Sequence, residues 1–261
     1  MFTFQEQEYK SKMNRYLCMG KSFLLIGGSS DIARLLAAQL LDSGHFVTLL
    51  ARDIERTTDL EQQGAHIVQG DALDEEVVQG AVAHAAGLSE HGLAGVAHLV
   101  GSIALRPPHA MKVADFESVL QTNLVSAFIT LKLCGKAMLR SGTGRMVFTS
   151  SVAGSYGLTN HEAIAAAKGG LEAMVRSAAS TYAQRGLRVN AVAPGLTETR
   201  LGATVLRSEA IREASIGMIP LKRINEATEI AQSIGWLLTD APDNLTGQVI
   251  HLDGGMSELR G

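Results

Sequence analysis

From Phe23 onward, short apolar runs of four or five residues alternate with longer stretches whose apolar positions recur at helical spacing. The short runs predict strands at 23–26, 46–50, 66–69, 96–100, 145–149, 187–191 and 248–251. The longer stretches predict helices near 32–41, 53–63, 75–86, 115–139, 162–184 and 226–238. This is the signature of βαβ units. One unbroken rhythm, with only 5 prolines, predicts an α/β fold with a single doubly wound domain, its seven-stranded parallel sheet flanked by helices. The rhythm breaks at 196–223, after the carboxyl end of a strand, where such folds carry lids over their ligands. That stretch is the candidate substrate loop. Residues 1–20 carry no pattern and read as an N-terminal tail, leaving 21–261 as the domain.

Composition narrows the partners. The 261-residue chain is 46% hydrophobic, ample for a sizeable core. Its 23 basic and 26 acidic side chains give a net charge of −3, so no basic face is advertised for nucleic acid or an anionic membrane. A small molecule is the expected partner. Cys18 and Cys134 lie far apart without metal-ligand spacing, so no metal site is expected. No secretory pattern or membrane-length apolar run is read, which makes a reducing cytoplasm the expected home.

The stretch "LLIGGSSDIARLLAAQLL" runs strand, tight glycine turn, helix, an order that lets backbone N–H groups and a helix N-terminus hold a pyrophosphate, as in a Rossmann fold. Gly27 and Gly28 form the turn, Ser29 and Ser30 add hydroxyls, and Asp31 and Ile32 lead into the helix. By itself a glycine pair also suits an ordinary strand-to-helix connection. These residues and their context resemble the short-chain dehydrogenase/reductase family, over nearly the whole chain after the tail. The family's first turn reads T-G-x-x-x-G-x-G; here Ile26, Asp31 and Ala33 depart from it. Asp31 puts a carboxylate close to the expected phosphates, where like charges repel, and is expected instead to cap the helix.

The resemblance assigns further cofactor-binding positions. "LLARD" places no acid at Ala51 but a guanidinium at Arg52, which favours the 2′-phosphate of NADP(H) and leaves NAD(H) open; Asp53 could offset that preference. Asp71, with Ala72 after it, matches the family's acid beside the adenine, and Gly101 matches the last glycine of N-N-A-G, with His98, Leu99 and Val100 replacing the rest. Pro194 and Gly195 match the turn beside the nicotinamide, with Thr197 or Thr199 near its carboxamide and the diphosphate. By the same resemblance the protein is expected to form a homodimer or homotetramer.

The catalytic frame is incomplete. The family uses a Ser to bind the substrate oxygen, a Tyr to exchange the proton, a Lys on the ribose, and an Asn anchoring a water relay. Ser151, Lys168 and Asn123 fall in frame, but "NHEAIAAAKGG" puts Ile164 where the Tyr belongs. His161 stands seven residues before Lys168, the spacing used by the tyrosine of divergent enoyl reductases. At helical spacing His161, Ile164 and Lys168 share a face, whereas Glu162 turns about 100° away. Imidazole, with an unperturbed pKa of about 6.5 against about 10 for phenol, needs no lysine to activate it. Tyr156 ranks below His161 as a displaced donor. The sequence therefore points to a hydride-transferring oxidoreductase acting on a carbonyl or an activated alkene. The competing reading is a dinucleotide-binding pseudoenzyme that senses or serves as a subunit. The lid's Leu201, Val205, Leu206, Ile211, Ile216 and Met218, among Arg207, Arg212 and Arg223, hint at an apolar substrate with an anionic group.

Overall fold

The computed structural model describes residues 20–259; most of the expected tail, and with it Cys18, lies outside them. Seven parallel strands form one sheet in the order β3-β2-β1-β4-β5-β6-β9. These are β1 Ser22–Ile26, β2 Phe46–Ala51, β3 His66–Gln69, β4 Leu93–His98, β5 Gly144–Thr149, β6 Leu187–Pro194 and β9 Val249–Leu252. Two further strands, β7 Thr197–Glu198 and β8 Asn225–Glu226, pair with each other at the base of the lid. At two residues each, they fall below the length a hydrophobic pattern can register.

Alternation along β1 shows how the sheet serves two cores. Leu24 and Ile26 join the cluster beneath α3 Glu75–Gly87, α5 Ser126–Ser141 and α6 Glu162–Tyr182. Phe23 and Leu25 point the other way, towards α1 Asp31–Asp42, α2 Thr58–Gln62 and α9 Ala227–Thr239. Every residue of β1 is buried, as a central strand covered on both faces requires.

Boundaries differ from the sequence reading by a few residues at several elements, β6 for instance running on to Pro194, and three differences are larger. The fourth strand is displaced to Leu93–His98: the Leu99 amide still bonds to the Ile26 carbonyl at 2.8 Å, but from there Leu99 and Val100 line a cleft. The long helix expected at 115–139 is two helices, α4 Val113–Leu120 and α5, joined by a π turn at Gln121–Val125. The stretch 53–63 is helical only in a 3₁₀ turn, Glu55–Thr57, and the short α2. The lid adds α7 Arg200–Ala203 and α8 Glu209–Gly217. Among the described residues no helix is long and apolar enough to cross a membrane.

Candidate active site

β1 lies between β2 and β4, so the connections after it diverge and leave a crevice at the strands' carboxyl ends. Ile26 is level with His98 across the β1–β4 pair, which brings the turns after both strands together. Gly27, at φ +89°, allows this approach: a Cβ there would lie 2.9 Å from the Leu99 carbonyl carbon and the Val100 nitrogen. The resulting cleft has a volume of about 650 Å³.

The cleft is lined by Gly27, Ser29, Ser30, Asp31 and Ile32 from the first turn, with Arg52 after β2 and Asp71 and Ala72 after β3. Gly101 lines it after β4, and Pro194, Gly195, Thr197 and Thr199 after β6. Every cofactor position expected from the sequence therefore faces one cavity. Local details correct two expectations. Ser30, not Asp31, caps α1, its hydroxyl accepting from the Ala33 amide at 3.2 Å. Asp31 instead accepts from the Arg56 guanidinium at 2.6 Å and from the Arg200 amide of the lid at 2.7 Å. Burial alone would raise the Asp31 carboxyl pKa, but these donors outweigh it and hold it below the ordinary range. The acid that meets Arg52 is Asp71, at 3.6 Å, rather than Asp53. With the Arg52 side chain 75% exposed, that pair is loose and the guanidinium free to turn to a ligand.

The same cleft gathers Asn123, Ser151, His161, Ile164 and Lys168, with Gly101 against Asn123 and Lys168. Ser151 follows β5, and its hydroxyl accepts from the Ala153 amide at 3.2 Å, which leaves its own proton for a ligand oxygen. The turn is pinned from behind by Glu172, a buried carboxylate on α6 that accepts from Ser150 at 2.7 Å and Ser155 at 2.9 Å. Gly154 makes room for it, since a Cβ there would come within 2.6 Å of its Oε1. Lys168, 4% exposed, donates to the Thr149 carbonyl at 2.7 Å. Burial lowers its ammonium pKa to about 8. Asn123 sits in the π turn, its Nδ2 donating to Ser102 and to the Val119 carbonyl and its Oδ1 accepting from the Ser102 amide, so it staples the β4 loop to the helix below.

His161 occupies the N-cap position of α6 rather than its first turn, and Asn160 before it has φ +63°. Its Nδ1 lies 2.7 Å from the Thr159 carbonyl. A carbonyl cannot donate, so Nδ1 carries the hydrogen and Nε2 is the nitrogen left for chemistry. Ile164 is 4% exposed and packs with Val119, Ala153, Ala163 and Ala167. Its place is an apolar wall. Neither Glu162 nor Tyr156, both exposed, lines the cleft. Of the lid residues singled out in the sequence, Leu201, Val205 and Met218 line it and Leu206, Arg207, Ile211 and Ile216 do not, whereas Arg212 pairs with Glu198 and Arg223 with Glu229.

Sequence reasoning missed three supports. His98 is fully buried, with Nδ1 2.9 Å from the Thr130 hydroxyl and Nε2 3.1 Å from that of Ser126, which itself borders the cleft. Desolvation, helped by Lys168, lowers its pKa to about 3, so the ring is neutral. The four-residue spacing of Ser126 and Thr130 on one helix was its only sequence trace. Glu172 had a similar trace, standing four residues after Lys168. Arg56 had none, since it reaches the first turn through tertiary structure.

Known proteins share this architecture. Residues 27–257 match the family described as Enoyl-(Acyl carrier protein) reductase. The 3-oxoacyl-(acyl-carrier-protein) reductase MabA of Mycobacterium tuberculosis is 31% identical over 243 residues, 91% of this chain and 93% of that protein. The 3-oxoacyl-(acyl-carrier-protein) reductase FabG of Staphylococcus aureus is 31% identical over 248 residues, covering 91% and 98%. A short-chain type dehydrogenase/reductase from Mycobacterium ulcerans superposes with a TM-score of 0.86 at 28% identity, covering 93% and 92%. With its strand order, its cleft and the in-frame Ser151 and Lys168, the chain belongs to the short-chain dehydrogenase/reductase family of oxidoreductases.

Proposed function

We propose that this protein is an NADP(H)-dependent reductase of a carbonyl group on an apolar, acyl-like small molecule, with His161 exchanging the proton that the family's tyrosine would carry. One observation carries the reading: a single cleft joins the glycine turn and Arg52 to Ser151, Lys168 and His161. The residues fit a dinucleotide, because Gly27 keeps the first turn open and Arg52 is a planar fork suited to a 2′-phosphate. A nicotinamide bound there supplies the hydride. Ser151 donates to the substrate oxygen and fixes its position. Lys168, anchored on Thr149, is placed to donate to a ribose hydroxyl. His161, in its doubly protonated form with Nδ1–H held by Thr159, gives the Nε2 proton to the developing alkoxide and returns to the neutral Nδ1–H tautomer.

The apolar wall at Ile164, with Leu201, Val205 and Met218 in the lid, supports an acyl substrate. So does similarity to two 3-oxoacyl reductases. Carbonyl reduction is thereby favoured over enoyl reduction. The same reading includes a homodimer or homotetramer in the cytoplasm, consistent with Phe128 being 54% exposed on α5. The test is NADPH oxidation with acetoacetyl-CoA and crotonyl-CoA as 3-oxoacyl and enoyl probes, in wild type and His161→Gln. Loss of about 10²–10⁴-fold in the variant, with the 3-oxoacyl probe preferred, is expected. Unchanged turnover in the variant removes His161 from the proton step, and no turnover with any substrate favours a pseudoenzyme.

A further inference from the structure

Asp31 puts a full negative charge into the turn that borders the cleft, at the first residue of α1. Left alone, that carboxylate would repel any phosphate entering the turn. It is not left alone. Arg56, from the 3₁₀ turn after β2, donates through one nitrogen to the Ser29 carbonyl and through the other to Asp31 Oδ1 at 2.6 Å. Both side chains of the pair are mostly buried, at 21% and 25% exposure, so solvent screens them less than it does the other ion pairs of the lid and rim. Asp31 Oδ2 is taken by the Arg200 amide. The carboxylate is therefore held on both oxygens; its charge is opposed chiefly by the Arg56 guanidinium, which also grips the backbone of the turn, and more weakly by the Arg200 side chain.

We propose that Arg56 is a positioning residue of the dinucleotide site, cancelling the Asp31 charge and fixing the carboxylate so that an acid-bearing turn accepts a diphosphate as a neutral turn would. The inference rests on the dinucleotide reading of the cleft. It assigns Arg56 no contact with the ligand, in keeping with its place outside the cleft lining. Two consequences separate it from a purely structural pair. Removing the arginine harms phosphate binding because the acid remains, so removing the acid as well repairs the damage. The damage is also electrostatic, so salt reduces it.

The experiment is a fluorescence titration of the full chain with NADPH, at low and at high salt, for wild type, Arg56→Gln, Asp31→Asn and the double variant. Thermal unfolding is recorded for each to establish that all are folded at the assay temperature. Arg56→Gln is expected to bind about tenfold or more weakly at low salt, with the deficit shrinking at high salt. The double variant is expected to return to within about threefold of wild type, which is the coupling a double-mutant cycle measures. Arg56→Gln binding within about twofold of wild type overturns the proposal. So does a double variant as weak as Arg56→Gln, because the arginine would then act on the ligand or on the turn itself. If wild type binds neither NADPH nor NADH, the dinucleotide reading fails and takes this inference with it; binding by wild type with a flat cycle sinks the inference alone.

Discussion

His98 makes the chain sensitive to acid in a way that can be isolated by one substitution. Its ring is fully buried between β4 and α5, held by the hydroxyls of Ser126 and Thr130, and desolvation takes its pKa from 6.5 to about 3. In the unfolded chain the imidazole binds a proton below about pH 6.5, whereas in the folded chain it stays neutral until about pH 3. Across that window the unfolded state holds more protons, so this group's contribution is fully present above pH 6.5 and is lost as pH falls towards 3. Each unit costs about 1.4 kcal/mol, so acidifying from pH 7 to pH 5 removes about 2 kcal/mol through His98 alone. His98→Asn keeps a donor and an acceptor but does not titrate. Urea unfolding of both proteins at pH 7 and pH 5 isolates the effect. The wild type is expected to lose about 2 kcal/mol more than the variant over that interval, even if the variant starts lower because the smaller side chain leaves a cavity. Parallel losses would refute the reasoning, because the imidazole would then keep its ordinary pKa in the folded state.

Three other substitutions probe the site. Ile164→Tyr restores a phenol at the family's position; it is expected to cost about 1–3 kcal/mol of stability from overpacking against Val119 and Ala153. It is also expected to rescue NADPH-dependent turnover in a His161→Gln background, and rates unchanged in the double variant would count against proton supply as the missing step. Gly154→Ala pushes a methyl to 2.6 Å from the Glu172 carboxylate behind Ser151, so a loss of about 1–3 kcal/mol by thermal unfolding and a fall in turnover are expected; a neutral result would mean that Glu172 does not hold the turn. Lys168→Met removes an ammonium whose pKa is lowered to about 8. Since a folded pKa below the unfolded one costs stability as pH falls, the wild type should lose stability relative to the variant between about pH 10 and pH 8, followed by chemical denaturation across that range.

The fold was legible because its signals are local. Apolar strands and helical periods located every strand of the large sheet, and the strand–turn–helix at Gly27 located the crevice. Errors fell where tertiary packing overrides local pattern. Leu99 and Val100 look like strand residues yet serve the cleft, and the π turn that carries Asn123 leaves no mark on a hydrophobic period. Site membership was legible from spacing, so Ser151, Ile164 and Lys168 converge as expected. The partners that set the charge of the site were not legible. Asp31 looked like a cap because its neighbours in sequence are a helix start, while Arg56 and Arg200 reach it from 25 and 169 residues away. His161 stands at the expected border of the cleft, but the Thr159 carbonyl that fixes its tautomer follows from the backbone turn before α6.

The most direct test of the account is titration of the purified protein with NADPH and, separately, with NADH, repeated on Arg52→Ala. The account predicts saturable binding of both by wild type, tighter for NADPH, and a preference for NADPH that disappears in the variant because the 2′-phosphate loses its guanidinium. Binding of neither nucleotide, or a preference for NADH in wild type, would contradict it.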